Sequence, residues 1–280
     1  MGLLLNILKS LIYGIIQGIT EWLPISSTGH LIMMRTFMPL NVFADAAMND
    51  AFWNMYKVVI QFGSILAVIL LYFYRLNPFN SKLRQKQKTR IWRLWIMILI
   101  ASVPTAVIGL LLDDWVDAKM NTPVVIAVML IVYGILFILI ENMNRPVKVR
   151  HTGQITVDKA LLTGLFQSLA LIPGTSRSGA TILGETLIGF DRPAAAEFSF
   201  FLAIPTMFGA SLLKLIKMKI SLNAGAVLVL LAGLLSAFIV SIVVIRKLIT
   251  YLRTHDFKIF GVYRILLGAV VLIFALLKVL

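Results

Sequence analysis

Residues 21–30 read Glu-Trp-Leu-Pro-Ile-Ser-Ser-Thr-Gly-His, and they break a stretch from Leu3 to Thr36 that is apolar at both ends. Residues 173–181, Pro-Gly-Thr-Ser-Arg-Ser-Gly-Ala-Thr, break a second stretch, Lys159 to Phe190, in the same way. Proline and glycine stop a helix, and the hydroxyls offer the backbone other partners. At membrane depth such backbone is tolerated only where it is buried in protein or lines a watery cavity. In a membrane protein, both stretches therefore read as re-entrant helix–loop–helix hairpins.

Composition places the chain in a membrane. Of its 280 residues, 60% are apolar and 14% are charged, against about 45–50% and about 25% for a soluble domain. Mean hydropathy is +0.94. A soluble globule cannot hide that much apolar surface. The same figures exclude a disordered chain, and the lack of cysteine excludes a disulfide-stapled domain. The net charge of +14 would suggest nucleic acid in a soluble protein. Here the basic residues fall in short loops, where they set topology and meet anionic lipid, and no nucleic-acid partner is expected. Met1 to Lys9 lacks the basic start of a signal peptide, and a polar motif follows in place of a small-residue cleavage site.

A spanning helix needs about 20 mostly apolar residues. Six stretches qualify: Tyr56–Tyr74, Trp92–Leu112, Thr122–Ile140, Glu197–Leu215, Ala224–Ile245 and Phe260–Leu280. The expected fold is all-α and integral to the membrane, with six transmembrane helices plus two re-entrant hairpins in a single domain over 1–280. At an offset of 150, Gly14 meets Gly164, Gln17 meets Gln167, Ser26 meets Ser176 and Gly29 meets Gly179. The halves, about 1–145 and 155–280, then each carry one hairpin and three spans. An odd number of spans reverses the second half, which makes an inverted-topology repeat with its site where the broken segments meet.

Loop charge orients this scheme. The segment from Arg75 to Arg93 holds seven basic residues and no acid, and reads as cytoplasmic. Asp113, Asp114 and Asp117 against Lys119 read as outside, while Arg145, Lys148 and Arg150, and then Arg246, Lys247, Arg253 and Lys258, read as inside. The turn with Lys217 and Lys219 is the exception, since the scheme puts it outside. Both termini then lie outside, and the hairpins dip in from opposite faces.

Ionisable groups inside a membrane are functional candidates by default. Glu21 and Gln17, four apart, share a helix face, and suit a metal ligand or an acid/base beside a cavity. Ser26, Ser27, Thr28, Gly29 and His30 place hydroxyls, free amides and an imidazole within one turn, an arrangement that suits an anion. One of these hydroxyls is expected to cap the second half-helix. In the other break, Gly174 lets backbone approach a ligand, and Arg177 offers a fork that fits phosphate oxygens. Thr175, Ser176, Ser178 and Thr181 flank it with hydroxyls. A structural Arg177 would need a carboxylate partner, for which Glu21 is available. Glu185 is a candidate cavity residue, and Glu197 reads as structural, near the start of a span. The whole set suits a bound phosphate or diphosphate better than a sugar or an amino acid.

Gln17-x-x-x-Glu21, Ser26-Ser-Thr-Gly-His30 and Pro173-Gly-x-Ser-Arg-Ser-x-x-Thr181 resemble the signature of the bacterial undecaprenyl-diphosphate phosphatase family, called BacA or UppP. Val58–Leu66 and Ala196-Glu-Phe-Ser-Phe extend the resemblance over essentially the whole chain. Position 17 is Gln where many members have Glu, and the family pattern permits both. The resemblance implies a membrane phosphatase that converts undecaprenyl diphosphate to the monophosphate carrier used for peptidoglycan, and so confers bacitracin resistance. It also implies a divalent cation, Mg²⁺ or Ca²⁺, and a site open to the outer face of the bacterial plasma membrane. Candidate partners are the polyprenyl diphosphate, membrane lipids and a second copy of the chain in a homodimer.

On this reading Arg177 and the loop amides hold the diphosphate oxygens. Glu21, with Gln17, holds the metal. Gly174, Thr175, Ser26, Thr28, Ser176, Ser178 and Thr181 bind substrate. The attacking group is Ser27 with His30 as base, a water activated by His30, or His30 itself. The rival reading is a flippase or transporter of a phosphorylated lipid, since broken helices in inverted repeats also mark transporters.

Overall fold

The computed structural model describes residues 2–143, 145–217 and 222–279. Met1, Lys219 and Leu280 lie outside the described residues, as do the side chains of Asp113, Asp117 and Lys217.

Eleven α-helices follow one another among the described residues: α1 (Gly2–Thr20), α2 (Ser27–Phe37), α3 (Ala46–Leu71), α4 (Phe73–Leu76), α5 (Gln85–Met120), α6 (Pro123–Asn142), α7 (Val157–Ser168), α8 (Arg177–Leu187), α9 (Arg192–Lys217), α10 (Ala224–Tyr251) and α11 (Lys258–Leu276). No strand occurs among them, only an isolated bridge between Val149 and Phe190. Six helices are long and apolar enough to cross a membrane: α1, α3, the Gln85–Leu112 part of α5, α6, α10 and α11. Five of the six expected spans fall on members of this set. The sixth, Glu197–Leu215, forms part of α9, several of whose side chains are outside the described set, and α9 is not among the six. The set instead includes α1, the first limb of the first broken segment.

Local chemistry explains where the helices begin. Thr122 caps α6 by accepting from the Val125 amide, and Pro123 opens that helix, where its missing N–H costs nothing. Asp45 caps α3, and Asn223 caps α10 by accepting from Ala226 at 2.8 Å. Outward faces stay apolar: Leu4, Leu110, Leu111, Ile239 and Leu266 are all more than half exposed. Such a surface suits lipid and not water.

Packing crosses the chain. The principal neighbour of α1 is α10, α7 lies along α5, and α6 pairs with α11. Small residues and hydroxyls make these approaches close, as membrane helices require. A Cβ on Gly14 would stand 2.3 Å from the carbonyl oxygen of Gly233, and one on Gly164 would stand 2.2 Å from that of Ala101. Ser10 donates to the Val229 carbonyl at 2.5 Å and shares a hydrogen bond with the Tyr56 hydroxyl. The loop after α1 lies against the start of α8, where Ser178 meets the carbonyl oxygens of Glu21 and Leu23.

Candidate active site

Both breaks have the same local build. Ser26 sits at φ 71° and Ser176 at φ 70°, in the left-handed region that non-glycine residues seldom occupy. Each then caps the next helix. Ser26 Oγ accepts from the Gly29 amide at 3.4 Å, and Ser176 Oγ accepts from the Gly179 amide at 3.2 Å. Both hydroxyls serve as caps in this geometry, as the sequence expects of one hydroxyl in the first break.

The Glu21 carboxylate, only 5% exposed, is the centre of the site. Its Oε2 accepts from Gln17 Nε2 and from the Ser27 hydroxyl, both at 3.0 Å. Its Oε1 accepts from Nη2 of Arg177 at 3.2 Å, across 156 residues of sequence. Ser178 tightens the same junction by donating to the carbonyl oxygens of Glu21 and Leu23. The guanidinium of Arg177 lies over the Trp22 ring, 5.7 Å from its centroid. A buried charge is stable only when paired and hydrogen-bonded, and this pair meets both conditions.

Behind Arg177 stands Ser199 of α9. Arg177 Nη1 donates to the Ser199 carbonyl at 2.7 Å and to its hydroxyl at 3.2 Å, and Thr181 Oγ1 lies 2.6 Å from that hydroxyl. Thr181 therefore braces the arginine from behind.

His30 is placed differently from the expected Ser27–His30 pair. Its ring nitrogens lie 2.7 Å from the Ser26 carbonyl oxygen and 2.7 Å from the Tyr263 hydroxyl. Ser27 donates to Glu21 and not to the imidazole. Thr28 is exposed on the first turn of α2.

Gly174, at φ +91°, is packed against α6: a Cβ there would stand 2.6 Å from the Ile126 carbonyl oxygen. Close packing against α6 and the positive φ both call for glycine here. Thr175 is fully buried and its hydroxyl finds no partner among the described residues. Glu185, also fully buried, has both oxygens unpartnered among the described residues. Glu197 is taken by Arg75 in a two-pronged pair at 2.5 and 2.7 Å.

Arg264 escaped sequence reasoning, as did Ser199 and Tyr263. Arg264 of α11 is fully buried and binds both loops at once. It donates to the carbonyl oxygens of Pro24 (3.0 Å), Gly174 (3.0 Å) and Thr175 (2.9 Å), and it lies over the Tyr133 ring. A signal was available: Arg264 falls within the apolar stretch Phe260–Leu280, and an ionisable group there is a candidate by the rule that selects Glu21.

A divalent cation fits the donor chemistry. Gln17 Oε1 is buried without a partner among the described residues, on the amide that contacts Glu21. Hard cations take carboxylate and amide oxygens and leave other positions to phosphate and water. No cluster of three or more His, Asp or Glu side chains that could hold a metal occurs among the described residues.

A family described as "Bacitracin resistance protein BacA" matches residues 10–270. The chain is 52% identical over 269 residues to "Undecaprenyl-diphosphatase 1" of Clostridioides difficile (strain 630), covering 96% of each. It is 50% identical over 273 residues to an "Undecaprenyl-diphosphatase" of Enterococcus faecalis, covering 96% of this chain and 97% of that one. A Streptococcus mutans serotype c protein with the same name is 50% identical over 283 residues, covering 99% of both.

Proposed function

This chain belongs to the BacA family, and from that premise we propose that it hydrolyses undecaprenyl diphosphate to undecaprenyl phosphate and inorganic phosphate. The observation that carries the site assignment is the Glu21–Arg177 pair, which joins the two broken segments with Ser27 on the same carboxylate. We read those segments as re-entrant hairpins of an inverted repeat. The matching left-handed serines at 26 and 176 support this, as does the crossed packing of α1 on α10 and α7 on α5. The site faces the outer side of the bacterial plasma membrane, and the polyprenyl tail lies among the apolar faces.

Ser27 is the nucleophile on this reading. Its proton points at Glu21 Oε2, which leaves oxygen lone pairs for phosphorus. Oγ attacks the terminal phosphorus, the proton passes to Glu21, and the bridging P–O bond breaks to release the lipid monophosphate. Water then attacks the serine phosphate while His30 Nε2 takes its proton; the P–Oγ bond breaks, Glu21 returns its proton to Ser27 Oγ, and inorganic phosphate leaves. Arg177 turns from Glu21 to the phosphoryl oxygens and stabilises the charge developing there. Glu21 and Gln17 Oε1 would hold the divalent cation, which would supply charge neutralisation for the diphosphate.

The test is phosphate release by the purified chain in detergent. Wild-type protein is expected to release phosphate, and Glu21→Ala and Arg177→Ala are expected to abolish it. Wild-type rates from either variant would remove the site assignment. Release without a membrane to cross also separates an enzyme from a flippase. Mass spectrometry of trapped protein is expected to find phosphate on Ser27, and an unmodified Ser27 would favour direct attack by water.

A further inference from the structure

His30 makes a hydrogen bond on each side of its ring. A carbonyl oxygen only accepts, so the Ser26 contact places the proton on Nδ1. In the neutral ring Nε2 then carries the lone pair, and the Tyr263 hydroxyl donates to it. The two rings lie within 5° of parallel, their centroids 5.7 Å apart. Tyr263 directly precedes Arg264 on α11, and Arg264 is fastened to carbonyls of both loops. The phenol is thereby held in register with both breaks. Burial does not force the contact, because Tyr263 is 43% exposed and its hydroxyl could equally meet solvent or lipid headgroups.

The geometry points to Tyr263 as a positioning residue of the proposed reaction: by donating to Nε2 it holds His30 neutral, as the Nδ1–H tautomer, with its basic nitrogen on the α11 side of the site. A water that takes the place of the phenol at Nε2 meets a base whose tautomer and ring orientation are already set. This inference rests on the diphosphatase reading. It adds a residue from the last helix to a site otherwise built from the two broken segments and α9.

The experiment compares wild type, Tyr263→Phe, His30→Ala and the double variant, each as full-length chain in detergent acting on undecaprenyl diphosphate. Tyr263→Phe keeps the ring and removes only the donor. It is expected to lower kcat about tenfold or more, the scale of a misplaced catalytic group, with KM near that of wild type. Added to His30→Ala it is expected to cost nothing further, because its effect passes through the imidazole. Nitrogen-15 spectra of histidine-labelled protein give a second readout. The Nε2 signal that is lost in His30→Ala should shift in Tyr263→Phe toward that of an unbonded ring nitrogen. Wild-type kcat in Tyr263→Phe, equal slowing with and without His30, or an unmoved Nε2 signal would each overturn the assignment. Absence of phosphate release from wild type would instead overturn the phosphatase reading, and the spectrum alone would then decide whether Tyr263 holds the ring.

Discussion

Nη1 of Arg264 lies 2.8 Å from the point where a Cβ on Gly179 would stand. Helix α11 and the first turn of α8 thus meet through a gap that fits hydrogen and nothing larger. The guanidinium cannot simply step aside, since Pro24, Gly174 and Thr175 all accept from it. Arg264→Lys keeps the charge but replaces a planar fork with one ammonium, which cannot reach all three carbonyls. Each buried acceptor left bare costs about 1–3 kcal/mol. Thermal unfolding in detergent is expected at lower temperature for both Arg264→Lys and Gly179→Ala, with phosphate release falling alongside. Unchanged unfolding of Arg264→Lys would contradict the clamp.

Arg177→Lys separates charge from geometry. Lysine keeps a cation near Glu21 but cannot serve Glu21 and both Ser199 oxygens together, nor grip a phosphate with two prongs. Phosphate release is expected to fall about 100- to 1,000-fold, the range for losing a key electrostatic donor. The unfolding temperature should move less than for Arg264→Lys. Steady-state kinetics and a melting curve on the same preparation check both.

Ser176 does two things that different substitutions pull apart. It caps α8, and it holds a left-handed backbone at φ 70°. Ser176→Ala loses the cap, worth about 1 kcal/mol, and keeps the strain. Ser176→Gly loses the hydroxyl but relaxes the backbone. The glycine variant is therefore expected to unfold at the higher temperature of the two, and the same order should hold at Ser26. The reverse order at both positions would mean that the conformation carries no cost.

Gln17 gives a handle on the cation. Chelation of divalent metal is expected to stop phosphate release, and Mg²⁺ or Ca²⁺ to restore it. Gln17→Glu adds a second carboxylate beside Glu21. A unit charge about 4 Å from another is worth about 1 kcal/mol even in water. The Mg²⁺ concentration for half-maximal release should thus drop about fivefold or more. A titration that superimposes on wild type would exclude position 17 from the metal shell.

Much of the site could be read from spacing and residue type. Gln17 and Glu21 lie four apart on one helix and do contact each other, and Arg177 needed a carboxylate and meets Glu21. Hydroxyl partners were harder to foresee. Ser27 could reach either His30 or Glu21 from the same turn; it meets Glu21, while Tyr263, brought in from 233 residues beyond His30, meets the imidazole. Arg264 was hidden for a related reason. A long apolar stretch draws attention to its length, and one cation inside it looks incidental until three loop carbonyls are seen around it.

The crossed pairing of α1 with α10 and of α5 with α7 bears on how the molecule is made. Synthesis delivers α1 first, yet its main neighbour emerges some two hundred residues later. For most of translation the nascent first helix must wait in the bilayer unmated, with Ser10, Gln17 and the Glu21 carboxylate lacking their final surroundings. A ribosome stalled before Ala224 would leave behind an orphan that quality-control proteases should recognise, and a gene cut at the central linker should yield two fragments that survive only when produced together.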